Sequence, residues 1–371
     1  MIADSFIPLH ETLCAVAEDL EDELKAIAKE RPLARRLMTV PGVGVMVSLG
    51  FIATVDHAER FSRTADVGAL GARNESRRAE PAFHSGRHRD DIDPALARIA
   101  PRIPYPGTEM MRKTILITGA TDGIGRPTAR RLAEQGHKVL LHGRNAEKLK
   151  TAADEIGPDA ETYLADLSHL EDVHSMAALV RERHTRLDVL INNAGILKSA
   201  NTRTVSGRDI RFEVNTIAPY VLTRELLPII PSSGRILNLS SAAQAPVDVT
   251  AMAGGRDLGD MEAYSQSKPA ITIWSQALAT ELPDGPLVVS VDPGSLLATK
   301  MVKEGFGIAG NDIEIGADIL IRAALSDEFV SMTGKHFDND AGRFALPHPG
   351  AQQADHVAAV MAALNGIVGE R

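Results

Sequence analysis

A chain of 371 residues, 44% hydrophobic and 24% charged, can bury a sizeable core and is neither a disordered tail nor a fibrous repeat. Its length suggests two domains, or one large domain with an appendage. A net charge of −9, spread as −3 over residues 1–110 and −6 over 111–371, argues against a dedicated nucleic-acid or anionic-membrane binder, and a single cysteine excludes an intramolecular disulfide or a multi-cysteine metal site.

The first elements are helical in pattern. Leu13, Val16, Leu20, Leu24 and Ile27 recur at three- and four-residue steps, with Glu18, Glu21, Asp22 and Lys25 on the other face. After Pro32 a second short helix leads into Val40-Pro41-Gly42-Val43-Gly44, and an apolar helix follows to about Val55. Leu37 to Val55 is uncharged and long enough to span a bilayer, but its Pro41, Gly42, Gly44 and Gly50 read better as a turn between two buried helices. No basic and apolar secretory signal opens the chain, so the lone Cys14 fits a reducing, cytoplasmic setting. Residues 72–110 carry seven Arg, no Lys, five Pro and no periodic aliphatics, which reads as an irregular linker.

From Lys113 the texture is that of an α/β domain. Strands are expected at Thr114–Ile117, Val139–Leu141, Thr162–Leu164, Val189–Ile191, Ile236–Leu239 and Val288–Val291, separated by helical stretches. That rhythm predicts βαβ units and a parallel sheet with helices on both faces.

The first strand runs into Thr118-Gly119-Ala120-Thr121-Asp122-Gly123-Ile124-Gly125 and then a helix. Glycines at this spacing let the backbone approach a pyrophosphate, which then sits on the free N–H groups of the helix N-terminus. The second strand ends in His142-Gly143-Arg144-Asn145, with no acid to accept a ribose 2′-hydroxyl and a guanidinium suited to a 2′-phosphate. NADP(H) is therefore expected in preference to NAD(H). Tyr264 and Lys268 are four apart on a predicted helix, so phenol and ammonium share a face, and a nearby positive charge favours the phenolate.

These ordered motifs resemble the short-chain dehydrogenase/reductase family over about residues 111–371. The resemblance also rests on Asp166-Leu167, Asn192-Asn193-Ala194-Gly195, Asn215, Ser240-Ser241 and Asp292-Pro293-Gly294 leading to Thr299. It implies a Rossmann-type, doubly wound α/β fold behind a small helical N-terminal extension. It implies that Tyr264 donates or accepts the proton, that Lys268 lowers the phenol pKa and binds the nicotinamide ribose, and that Ser241 orients the substrate oxygen. Asn215, within a long helix, would hold a proton-relay water. Asp166 and Leu167 would lie near the adenine, Asn193, Ala194 and Gly195 would floor the cofactor site, and Pro293, Gly294 and Thr299 would form the nicotinamide-side loop. Thr118, Gly119, Thr121, Asp122, Gly123, Ile124, Gly125, Arg144 and Asn145 complete the expected cofactor contacts, and no metal is expected. Tyr264 follows Ser241 by 23 positions, a longer interval than in the commonest members and similar to retinol-dehydrogenase-like ones; the extra segment, Ala243 to Met261, would line the substrate cleft. Pro269 disfavours helical geometry at Lys268, so the helix is expected to be in its first turn or bent there, and a weakly active nucleotide-binding relative is the alternative within this class. Residues 296–315, with Gly305, Gly307 and Gly310, read as a lid.

Farther upstream, Arg36 to Gly44, Ile52-Ala53 and Glu59-Arg60-Phe61 resemble the C-terminal helix-hairpin-helix domain of an insertion-sequence transposase family, over about residues 10–71. Residues 1–110 are then expected to be a transposase remnant read into a reductase gene, with Met110 or Met111 as the natural start. A DNA-binding fusion protein is the competing reading and requires salt-dependent duplex binding that is lost on deleting residues 1–110. The expected partner is a small carbonyl or alcohol, with neither nucleic acid nor membrane, and a homodimer or homotetramer is compatible.

Overall fold

Each of the six predicted strands forms within two residues of its expected ends. β1 (Thr114–Ile117), β2 (Lys138–Gly143), β3 (Glu161–Leu164), β4 (Val189–Asn192), β5 (Arg235–Leu239) and β6 (Leu287–Asp292) pair in parallel, and two further strands, β7 (His336–Asp338) and β8 (Arg343–Ala345), extend the sheet. The order is β3-β2-β1-β4-β5-β6-β7-β8, with only β7 and β8 antiparallel. Residues 112–369 of this computed structural model are described here. The helix-hairpin-helix reading of residues 1–71, the apolar run Leu37–Val55 and the linker 72–110 lie outside the described residues.

Side chains alternate across the central strands and both faces are covered, which is why those strands read as continuous apolar runs. On one face Ile115, Ile117, Leu141 and Val289 pack with Ala129 and Leu132 of α1 (Gly125–Glu134), Leu149 and Ala152 of α2 (Ala146–Ile156), and, from farther along the chain, Leu320 of the helix Glu314–Leu325. On the other, Leu116, Leu140, Ile236 and Val288 pack with Val173 of α3 (Leu170–Arg183), with Phe212, and with Trp274. Trp274 lies on a 22-residue helix, Asp260–Glu281, whose ring meets Tyr220 edge-on at 5.5 Å.

The helix that carries Asn215 is not continuous. An α-turn, α4 (Ile210–Phe212), passes into a π-turn over Glu213–Ile217 before α5 (Ala218–Leu226) resumes. Pro219 accounts for this: it stands four residues after Asn215 and has no N–H, so the Asn215 carbonyl lacks its α-helical donor. Beyond β5 come α6 (Val249–Met252), α7 (the helix Asp260–Glu281), α8 (Lys300–Phe306), α9 (the helix Glu314–Leu325) and α10 (Ala354–Gly369). Among the described residues no helix is long and apolar enough to cross a membrane.

Candidate active site

Parallel pairing sets Ile117 beside Ile191, Asn192 beside Asn238 and Leu239 beside Val291, so the segments leaving β1, β4, β5 and β6 emerge together at one edge. The order reverses between β1 and β4, where α/β sheets open a ligand crevice.

The glycine turn is built there from backbone contacts. Thr118 is buried, and its hydroxyl accepts the N–H groups of Asn193 and Ala194, each at 3.0 Å. Asn193 returns the tie, its Nδ2 donating to the carbonyls of Thr118 at 2.8 Å and Gly119 at 3.2 Å. Gly119 and Gly123 hold φ of +67° and +54°, where a side chain would be strained. A Cβ on Gly125 would sit 2.3 Å from the Gly119 carbonyl oxygen and 2.6 Å from Asn193 Nδ2. α1 starts at that point with no side-chain cap and no acid in its first turn, leaving its N-terminal amides for an anion. These features fit a dinucleotide pyrophosphate.

Sequence reasoning missed His142. The Gly119 N–H donates to its Nδ1 at 3.1 Å, which fixes the ring's proton on Nε2, donating to Ala165 O at 3.1 Å. Burial pushes its pKa down to about 4, so the ring is neutral at pH 7. Its position at the end of β2 was the available signal.

Around the turn, Thr121 packs on Gly143, and Ile124 packs against Gly316 of α9. Asp122 accepts from the Gly123 amide at 2.8 Å and pairs with Lys148 at 2.9 Å; the Lys148 hydrogen bond, more than any other contact, holds its carboxyl below the usual range. Arg144 is exposed where β2 ends and forms no ion pair among the described residues. Asn145 caps α2, accepting from Lys148 N at 2.9 Å. Partial burial opposes ionisation of Asp166, but the Ser168 amide and hydroxyl and the Arg144 charge outweigh it and hold its pKa low. Leu167 is buried beside it.

Ser241, Tyr264 and Lys268 converge from β5 and α7. Ser241 lies close enough to the Tyr264 phenol to pull its pKa down, and its hydroxyl accepts the Ala243 N–H at 3.2 Å. Lys268 is buried, donates from Nζ to Leu239 O at 3.0 Å, and stands 5.5 Å from the Tyr264 ring centroid. Asn215 Oδ1 accepts from Ile196 N at 2.8 Å while its Nδ2 donates to Ile196 O and Ser267 Oγ, both at 3.0 Å. Gly195 lies between these groups, since a Cβ there would be 3.5 Å from both Asn215 Oδ1 and Lys268 Nζ.

This arrangement can hold a dinucleotide and move a proton at its far end, and known proteins are similar to the chain over this region. A family profile described as short chain dehydrogenase matches residues 113–306, just over half of the chain. The chain belongs to the short chain dehydrogenase family. Human (Homo sapiens) retinol dehydrogenase 13 is 30% identical over 258 residues, 61% of this chain and 76% of that protein. A Streptomyces sp. (strain C5) protein assigned as a daunorubicin C-13 ketoreductase is 35% identical over 203 residues, 53% of this chain and 70% of its own. A crystal structure of an Escherichia coli CFT073 protein, assigned to the short chain dehydrogenases and complexed with NADPH, superposes with a TM-score of 0.50 at 31% identity, covering 61% of this chain and 96% of that one. As a short chain dehydrogenase this protein is an oxidoreductase acting on CH–OH groups.

Several expectations for this short chain dehydrogenase need correction. Burial pushes the Tyr264 phenol up, Ser241 pulls it down, and the Asp292 charge adds to the rise. Lys268 itself is lowered by burial to about 8. Asp292 is the electrostatic partner the sequence did not reveal: burial, reinforced by Asp338 and Asp340, raises it to about 6 against the pull of the Gly294 amide. Pro269 is not in the first turn of α7, because α7 begins at Asp260 and continues to Glu281. Asn215 lies in a π-turn rather than within a long regular helix.

The loop expected on the nicotinamide side is fastened at both ends. Pro293 is buried and its carbonyl accepts from Asn339 Nδ2 at 2.9 Å, while Gly294 turns at φ +116°. Thr299 caps α8 by accepting from Val302 N at 3.2 Å. Within the expected lid, Leu297 bridges to Asn311, and Leu296, Phe306 and Ile308 are exposed.

Proposed function

We propose that this chain is an NADP(H)-preferring carbonyl reductase or alcohol dehydrogenase in which Tyr264 is the general acid/base. The observation that carries the reading is the convergence of Ser241 and Tyr264 beside buried Lys268, at the strand edge where the glycine turn fits a pyrophosphate. A bound nicotinamide would exchange a hydride with the substrate carbon. Ser241 would hold the substrate oxygen by a hydrogen bond, and Tyr264 would give that oxygen its proton during reduction or remove it during oxidation. A raised phenol pKa keeps Tyr264 protonated at neutral pH, which suits reduction. Lys268 would bind the nicotinamide ribose and carry positive charge below about pH 8. Asn215 Oδ1 keeps one lone pair beyond its Ile196 contact, an acceptor for the relay water.

Arg144 supports the cofactor preference, because its guanidinium is exposed at the end of β2, where its charge also reaches Asp166. Arg144→Ala is expected to raise KM for NADPH by roughly tenfold or more, the scale of a charge-assisted hydrogen bond, and to leave KM for NADH nearly unchanged. Steady-state kinetics with both cofactors measure this, and equal effects would remove the 2′-phosphate role. The retinol dehydrogenase and ketoreductase relatives point to apolar and polycyclic carbonyls as first substrates. A panel of aldehydes, ketones and alcohols, including retinaldehyde, followed by NADPH absorbance tests the activity.

The domain reading places catalysis in residues 111–371 and gives the transposase-like residues 1–71 and linker 72–110 no part in it. Intact-mass and peptide analysis of the native protein is expected to find a chain starting at Met110 or Met111. Abundant peptides from residues 12–100 would overturn that start.

A further inference from the structure

Pro269 looks like a defect, a proline ten residues into a 22-residue helix, where it removes an N–H and crowds the carbonyl four residues back. That carbonyl belongs to Ser265, next to Tyr264. It is not left unpaired: the N–H of Ala245, from the segment that leaves β5, donates to it at 2.8 Å. A second tie lies on the same helix, where the Ser240 hydroxyl donates to the Lys268 carbonyl at 3.1 Å. Ser241 therefore stands between two points at which its segment is fastened to α7, the helix that carries Tyr264 and Lys268. Gln244 stiffens the short span between them, its Nε2 donating to the Ser241 carbonyl at 2.8 Å. Asp248 N adds a bond to Gln266 Oε1 at 2.8 Å where the span ends.

We infer that Pro269 is a positioning residue: by having no N–H to offer, it reserves the Ser265 carbonyl for Ala245 and so fixes Ser241 against Tyr264. An alanine at 269 would supply the missing donor. The helix would close its own hydrogen bond, and the Ser265 carbonyl, sharing its lone pairs between two donors, would hold the Ala245 amide less tightly. The helix gains where the active site loses, because an interior proline costs helix stability. This rests on the reading that Ser241 and Tyr264 perform the proton chemistry.

The test is Pro269→Ala in the full chain, read by amide hydrogen exchange, melting temperature and turnover. Exchange over residues 241–248 is expected to quicken about tenfold, the scale of one lost hydrogen bond, with Tm unchanged or higher and kcat about tenfold lower. Wild-type exchange at Ala245 overturns the inference whatever happens to turnover, and so does a kcat within twofold of wild type. Ala245→Pro removes the donor and leaves α7 intact; it should lower kcat similarly and add nothing to Pro269→Ala, whereas full additivity overturns the inference. Tyr264→Phe is the control for the underlying reading. If it keeps wild-type turnover, that reading fails; if it loses turnover while Pro269→Ala does not, only the present inference fails.

Discussion

Replacing Tyr264 with Phe is expected to lower kcat by about 10²–10⁴-fold, the contribution of a positioned acid or base, while Kd for NADPH stays close to wild type. The variant keeps the ring, whose centroid stands 5.5 Å from the Lys268 ammonium, and removes only the hydroxyl. Fluorescence titration of NADPH together with steady-state turnover separates the two effects, and an unchanged kcat would take Tyr264 out of the mechanism. A pH profile adds a second check on the same machinery. Lys268 has its pKa lowered to about 8, so its cation is present below that pH and lost above it. Reduction by the wild type should therefore fall as pH rises through about 8, and a flat profile to pH 10 would show that turnover does not use that charge.

Gly125→Ala should be the most damaging single methyl in the cofactor turn. Its Cβ would meet the Gly119 carbonyl oxygen at 2.3 Å and Asn193 Nδ2 at 2.6 Å, and neither can retreat. Gly119 is held by its N–H bond to His142, and Asn193 by its bond to the Thr118 carbonyl. Overpacking against pinned atoms costs roughly 1–3 kcal/mol, or about 2–10 °C in Tm for a domain of this size. The displaced turn should also raise KM for NADPH by about tenfold or more, since about 1.4 kcal/mol of lost binding is a factor of ten. Gly123→Ala is the instructive contrast, because it meets only Thr299 Cγ2 at 3.7 Å and bears backbone strain alone. Thermal melts and cofactor kinetics should rank Gly125→Ala below Gly123→Ala; the reverse order would mean that the turn is not packed as described.

The parts legible in the sequence were those whose signal is local. Runs such as Thr114–Ile117 and Val189–Ile191 announce buried parallel strands, and the glycine turn, the Tyr264 and Lys268 spacing and the Ser240-Ser241 pair are each written within a few positions. What escaped depends on partners distant in the chain. β7 and β8 are three residues each, too short for any period, and are held by the rings of Phe329, Phe337 and Phe344 with centroids 5.0–5.4 Å apart. Phe337 and Phe344 flanking Asn339-Asp340-Ala341-Gly342 was the hairpin signal to read. Pro269 was legible as an anomaly, but its meaning needed Ala245, which the sequence places 24 positions away. The rise in the Tyr264 pKa was hidden for the same reason: burial is a property of the assembled cleft and Asp292 approaches from another strand.

The His142 clamp has a consequence for proton bookkeeping. Because the ring titrates near pH 4, it neither gains nor loses a proton across the physiological range, and the Gly119 N–H it accepts is held the same way at pH 5.5 as at pH 9. The phosphate turn is thus blind to pH by construction. Any acid or base dependence found in nucleotide affinity between those limits must be written by other groups, and Asp292, Lys268 and the nucleotide's own phosphates are where to look for it.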